Sequence, residues 1–132
     1  MRRSGANLVM AACVALAAPA PLLAQQQVRI VGTTTADSVL LKDTLQTIAE
    51  FAFARDGCRD IGTVAVKTLP DYVPANTTYR TEDAFAYERW DVDLCGKSEA
   101  FLISFADDPQ GGTIFKIGYP PPGDLPAADP LD

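Results

Sequence analysis

The first two dozen residues constrain the fold most, because they are marked for removal before folding. Arg2-Arg3 precede an alanine-rich apolar stretch from Leu8 to Ala18, followed by Pro19, Pro21 and the small Ala24 before a polar Gln25-Gln26-Gln27 run. That is the order of a secretory signal peptide: charged n-region, short apolar h-region, small-residue cleavage site. The apolar stretch is shorter than the about 20 residues that a bilayer-spanning helix needs. The expectation is therefore cleavage after Ala24, a periplasmic or secreted product, and no stable membrane insertion after cleavage. Met10-Ala11-Ala12-Cys13 departs from a lipoprotein box, with Met where Leu is usual. Arg2-Arg3 matches the pair of a twin-arginine signal, but Ser4-Gly5-Ala6 lacks the hydrophobic residues expected behind it; the sequence leaves the export route open.

Cleavage would leave residues 25–132, enough for one domain with a single core. Losing Arg2 and Arg3 changes the formal charge from −6 to −8, nine basic against seventeen acidic residues. A surface this acidic repels phosphate backbones, which argues against nucleic-acid partners and against docking on anionic lipid. Cys13 leaves with the signal, so two cysteines remain, Cys58 and Cys95. In an oxidising compartment an isolated pair reads as a structural disulfide. Closing a loop of about 38 residues would stabilise the fold by roughly 4 kcal/mol in the chain-entropy model. The pair lacks Cys-x-x-Cys spacing and the chain has no histidine, so neither a redox pair nor a zinc site is expected. No cofactor and no metal are expected.

Val28 to Val31 reads as a short first strand. From Asp37 the period turns helical: Leu41, Leu45, Ile48 and Ala52 share a stripe, widened by Thr44 and Phe51, with Lys42, Asp43, Gln46 and Glu50 opposite. Thr35 or Asp37 can cap the start, and Gly57 suits the end of a helix over residues 37–56. Thr63 to Leu69 alternates and stops at Pro70, and residues 70–83 form a long connection. Ala84 to Leu94 carries Trp90, Val92 and Leu94 on one face. Phe85 and Tyr87 have the other parity, which a bulge near Glu88-Arg89 would reconcile. After the turn Cys95-Gly96-Lys97-Ser98, a strand from Glu99 to Phe105 aligns Phe101, Ile103 and Phe105, and one from Thr113 to Tyr119 aligns Phe115, Ile117 and Tyr119. The expected fold is α+β: one helix on a four-stranded antiparallel meander, with a possible short N-terminal strand. The domain would cover residues 25–119, and the Pro-rich acidic tail over 120–132 reads as disordered.

Asp91 and Asp93, two apart on a strand, emerge together on the face opposite Trp90. Paired carboxylates can perform acid–base chemistry or bind a hard cation, but no basic or aromatic residue is patterned to build a cleft around them. A solvated sheet face is the simpler account. Asp107-Asp108 with Gly111-Gly112 lacks the spaced ligands of a calcium loop and reads as a hairpin turn. Asn76-Thr77-Thr78 matches the glycosylation sequon. Ser38, Ser98 and Ser104 have no histidine to activate them, and Ser98 beside Lys97 is poorly placed for lysine activation. Catalytic residues are therefore not assigned. Phe53 falls on the polar side of the helix, where an exposed aromatic marks either a partner surface or local packing near the disulfide.

The stretch Tyr87-Glu88-Arg89-Trp90-Asp91-Val92-Asp93-Leu94-Cys95-Gly96, then Phe101-x-x-x-Phe105 and Gly111-Gly112-Thr113, resembles small uncharacterised exported proteins of Gram-negative bacteria with a W-x-V-x-x-C-G hairpin. The resemblance covers about 30 residues. It implies an envelope or extracellular location and brings no activity. The element order is also similar to the cystatin layout, without the Q-x-V-x-G hairpin or the Pro-Trp pair of that family.

Three functional expectations follow. The favoured one is a non-catalytic accessory or binding protein of the cell envelope, partnered by another envelope protein or by itself. The alternatives are a hydrolase using Asp91 or Asp93, and a protease inhibitor presenting residues 70–82. Since one helix covers one sheet face, the other must be solvated or occupied. That face carries Asp91, Asp93, Ala100, Leu102, Ser104 and Ile114. Leu102, with Ile114, is expected to mark a partner or self-association surface there, with the exposed edge strand as the other candidate, unless the connection over 70–82 or the tail folds across the face.

Overall fold

The computed structural model describes residues 28–129; residues 1–27, with the expected signal segment and cleavage site, and residues 130–132 lie outside them. Five strands form one mixed sheet: β1 (Arg29–Gly32), β2 (Ile61–Thr68), β3 (Ala84–Leu94), β4 (Lys97–Asp107) and β5 (Thr113–Gly118), in spatial order 1-2-3-4-5. β2 to β5 make the expected antiparallel meander. The first strand is not an appendage. It pairs in parallel with β2, Arg29 opposite Thr63 and Gly32 opposite Val66, so the sheet is mixed. Parallel neighbours need a crossover, and the helix α1 (Ser38–Asp56) supplies it.

α1 begins where Asp37 accepts a hydrogen bond from the Leu40 N–H at 2.8 Å. It ends at Gly57, whose φ of 74° lets its N–H reach the Phe53 carbonyl. Thr44, Ile48 and Ala52 are buried, with Leu41 and Leu45 half-buried beside them. They pack on Val64, Trp90, Val92, Phe101, Ile103 and Phe105, the main core. Cys58 is bonded to Cys95, with Cα atoms 6.0 Å apart. The bond ties the exit of α1 to the β3–β4 turn at the edge of this core.

The bulge in β3 lies between Ala84 and Ala86, not near Glu88-Arg89. Its position decides which side chains enter the core. Phe85, at the irregularity, stacks with Phe105 at 6.4 Å between ring centres. Tyr87 stays on the second face, and Glu88 stays in phase with Trp90, beneath the helix.

The second face is covered. Leu69, Tyr87 and Leu102 form a smaller apolar cluster, packed by Tyr72, Tyr79, Ala84 and Leu125. Tyr72 and Tyr79 come from the connection between β2 and β3, Leu125 from the tail. Two expectations are thereby corrected. Residues 120–129 are not a free tail but lie ordered across the sheet, and Leu102, at 2% exposure, is covered by these segments rather than exposed. β4 is consequently buried on both faces from Phe101 to Ala106.

Candidate functional site

The second face is built from alternate residues of the central strands: Tyr87, Arg89, Asp91 and Asp93 of β3 beside Ser98, Ala100, Leu102 and Ser104 of β4. Small residues in its middle leave a trough, and two irregular segments fill it. The connection is laid down first. Tyr72 meets Tyr87 edge-on at 6.1 Å. Thr81 bonds Ser104 hydroxyl to hydroxyl at 2.6 Å, and the Thr81 N–H donates to the Tyr87 hydroxyl. Arg80 Nε donates to the Pro74 carbonyl, closing the loop on itself, and Lys116 Nζ donates to the Thr78 carbonyl from β5. Tyr79 lies directly over Gly118, where a Cβ would come within 2.9 Å of its ring. Only glycine permits that approach.

The tail enters over Tyr79, whose hydroxyl donates to the Pro120 carbonyl at 2.7 Å. Pro122 is buried, Leu125 drops into the Tyr87–Leu102 cluster, and Asp124 is held from two sides. The Tyr72 hydroxyl donates to its Oδ1 and the Ala75 N–H to its Oδ2, each at 2.9 Å. These bonds, the Ala75 N–H foremost, hold the Asp124 carboxyl below the usual carboxylate range. Burial, helped by the bond to Asp124, pushes the Tyr72 phenol up. Farther along, Arg89 Nη1 donates to the Pro126 carbonyl, and Lys67 Nζ to the Ala127 carbonyl and the Asp129 carboxylate. Beyond these contacts the trough opens into a hollow of about 400 Å³ lined by Val31, Ala65, Val66, Lys67, Asp91 and Asp129.

The two aspartates singled out in the sequence do share this face, yet each has a fixed task. Asp91 receives both Nε and Nη2 of Arg89 at 2.9 Å, a bidentate pair with both side chains about 18% exposed. The Nη1 left over is the one that reaches the tail. Asp93 Oδ1 accepts from the Gly96 N–H at 2.8 Å and so braces the β3–β4 turn. Among the described residues no group of three His, Cys, Asp or Glu side chains is placed to hold a metal ion.

Phe53 is exposed at 49%, and the Arg59 guanidinium sits 4.7 Å above its ring, beside the disulfide. The Asp107–Gly112 turn is a hairpin in which Asp108 Oδ1 accepts from the Gln110 N–H. Asn76 is exposed, its side chain accepting from the Thr78 N–H.

Two polar clusters escaped the sequence reading. Glu88 is completely buried beneath α1. Oε1 accepts from the Thr35 N–H and hydroxyl at 2.7 and 2.8 Å; Oε2 accepts from the Thr34 hydroxyl and Trp90 Nε1 at 2.8 and 2.7 Å. Four donors satisfy four acceptor sites, so the carboxylate fastens the β1–α1 loop to the core. The nearby signal was Thr33-Thr34-Thr35 before a helix, with a Trp two residues from a Glu. The second cluster joins the helix end to the sheet: Arg55 forks onto Glu99 with both bonds 2.7 Å, and the Tyr119 hydroxyl also donates to Glu99. Arg55 holds the Glu99 carboxyl down, and the bond to Glu99 pushes the Tyr119 phenol up.

No family model, curated protein or solved structure matches the chain.

Proposed function

We propose that this is an exported, disulfide-stabilised, non-catalytic binding protein of the bacterial cell envelope, acting in the periplasm or outside the cell. One observation carries the choice of binding over catalysis. Both carboxylates that suited acid–base chemistry are consumed by structure, Asp91 by the Arg89 fork and Asp93 by the β3–β4 turn. A general base needs an oxygen within reach of a substrate proton, whereas this face offers shape, tyrosine rings and side-chain donors. The Cys58–Cys95 bond suits an oxidising compartment, in keeping with the signal-peptide pattern. A protease-inhibitor reading gains no support, because the connection over 70–82 lies against the sheet with Pro74 buried rather than projecting as a loop.

Two measurements test the reading. Expressed with its own N-terminus in a Gram-negative host, the protein should be recovered outside the cytoplasm as a chain beginning at Gln25, with the mass of one intact disulfide. A cytoplasmic, full-length chain with titrating thiols would overturn the location. A panel of hydrolase substrates should show no turnover by the mature protein. Turnover that Asp91→Asn abolishes would overturn the non-catalytic reading.

A further inference from the structure

The tail lies on the second face as a ligand lies in a site. Among the described residues, the backbone–backbone bond recorded within it is internal, from the Leu125 N–H to the Pro122 carbonyl, and the sheet order ends at β5. Side chains hold it instead. Hydroxyl and cationic donors of Tyr79, Arg89 and Lys67 meet the carbonyls of Pro120, Pro126 and Ala127, while Tyr72 and the Ala75 N–H grip Asp124. Leu125 is the apolar anchor. Prolines at 120, 121, 122 and 126 cannot donate backbone hydrogen bonds. A proline-rich segment is therefore recognised through its carbonyls and its shape, by aromatic rings and side-chain donors. Those features are what this trough presents.

We infer that the second face is a binding site for a proline-rich segment that turns into an Asp-Leu-Pro core and is carried by another polypeptide, and that the chain's own tail occupies it as a displaceable stand-in. This rests on the reading of the protein as a binding module and names the chemistry of its partner. One ion pair favours the same occupant: Lys67 lines the path, and the tail brings Asp129 to it. The tail follows β5 directly, so its local concentration is high. It screens the site from weak ligands and yields only to a stronger or multivalent one.

The test uses the full chain with the tail anchors removed, Asp124→Ala with Leu125→Ala, and a synthetic peptide with the sequence of residues 119–129. The released variant should bind the peptide saturably and at least about tenfold more tightly than the unmodified protein does, because cis competition is gone. Peptide lacking the aspartate, or Tyr72→Phe in the protein, should weaken binding. Chemical-shift changes should map to Tyr72, Tyr79 and Arg89. Equal or absent binding to a folded variant would overturn the proposal. Unfolding of the variant would do so as well, since the tail would then be core rather than ligand. Concentration-dependent dimers with tails crossing between copies would replace the external partner with self-association. The peptide's mass is followed throughout: intact but unbound peptide removes only the site assignment, whereas cleaved peptide removes the non-catalytic reading beneath it.

Discussion

Trp90, Val92, Phe101 and Ile103 lie beneath a nineteen-residue helix that contributes Ile48 and Ala52, whereas Leu102, from the same strand as Phe101, lies beneath an irregular connection and a proline-rich tail. Both faces of one sheet are dry at their centres, but they are closed in different ways. On the helix face, interdigitating side chains close the core, and Glu88, the one fully buried acidic side chain among the described residues, is hydrogen-bonded at both oxygens. On the other face, hydrogen bonds from side chains pin backbone that has few bonding partners of its own. Close packing transmits every lost methylene into stability. A pinned segment can lift away and leave the sheet standing. The first face is thus a core and the second is suited to exchange, a division that mutation and pH can break or sharpen.

The largest effect is expected on the helix face. Phe101→Ala empties a fully buried ring site and should cost about 3–5 kcal/mol in urea unfolding. A loss below about 1 kcal/mol would mean that the face is plastic and the contrast false. Cys95→Ser should come next, lowering stability by roughly 2–4 kcal/mol, read as a lower Tm under oxidising conditions. Reduction of the unmodified protein should reproduce the drop and leave the variant unchanged.

Glu88→Ala strands the buried Trp90 Nε1 and leaves the partly exposed Thr34 and Thr35 donors to water, which should cost about 1–3 kcal/mol. Hydrogen exchange should also quicken in the β1–α1 loop, the segment those bonds hold. An unchanged loop would show that the carboxylate does not fasten it.

The smallest effect in global stability, and the most local, is expected from acid. Asp124 has its carboxyl pKa depressed in the folded protein, so the contact is intact above the ordinary value of 3.8 and is lost as pH falls through the folded value. Between neutral pH and about pH 5 the tail should stay docked. As pH falls below 3.8 and through the lower folded value, residues 120–129 should become open to protease while the helix signal in circular dichroism holds. Asp124→Asn should be protease-sensitive already at neutral pH. A tail released only together with the whole fold would merge the two faces into one cooperative unit.

Legibility in the sequence follows the same division. The stripe Leu41, Leu45, Ile48 and Ala52, the alternation Trp90, Val92, Leu94, and the helix bounds near Asp37 and Gly57 are local patterns of period 3.6 or 2. Each therefore survives in the linear chain. The pairing of Cys58 with Cys95 was legible by elimination, as the two cysteines left once the expected signal segment is set aside. Asp91 and Asp93 were rightly placed on one face by parity, but parity carries no information about the partners that employ them.

What the linear chain determined by itself is therefore the helix, the four-stranded meander, the two-cysteine clamp and the segregation of Trp90 from the aspartates. These rest on contacts near in sequence or on simple counting. Tertiary structure alone decided the parallel pairing of β1, the burial of Glu88 through a bulge at Phe85 rather than at Glu88-Arg89, and the docking of the tail over Leu102. The reason is physical. Each of these depends on groups distant in the chain: Arg29 pairs with Thr63, Thr35 with Glu88 and Tyr72 with Asp124. A proline-rich acidic segment has no period of its own, and it is ordered here by the face it meets.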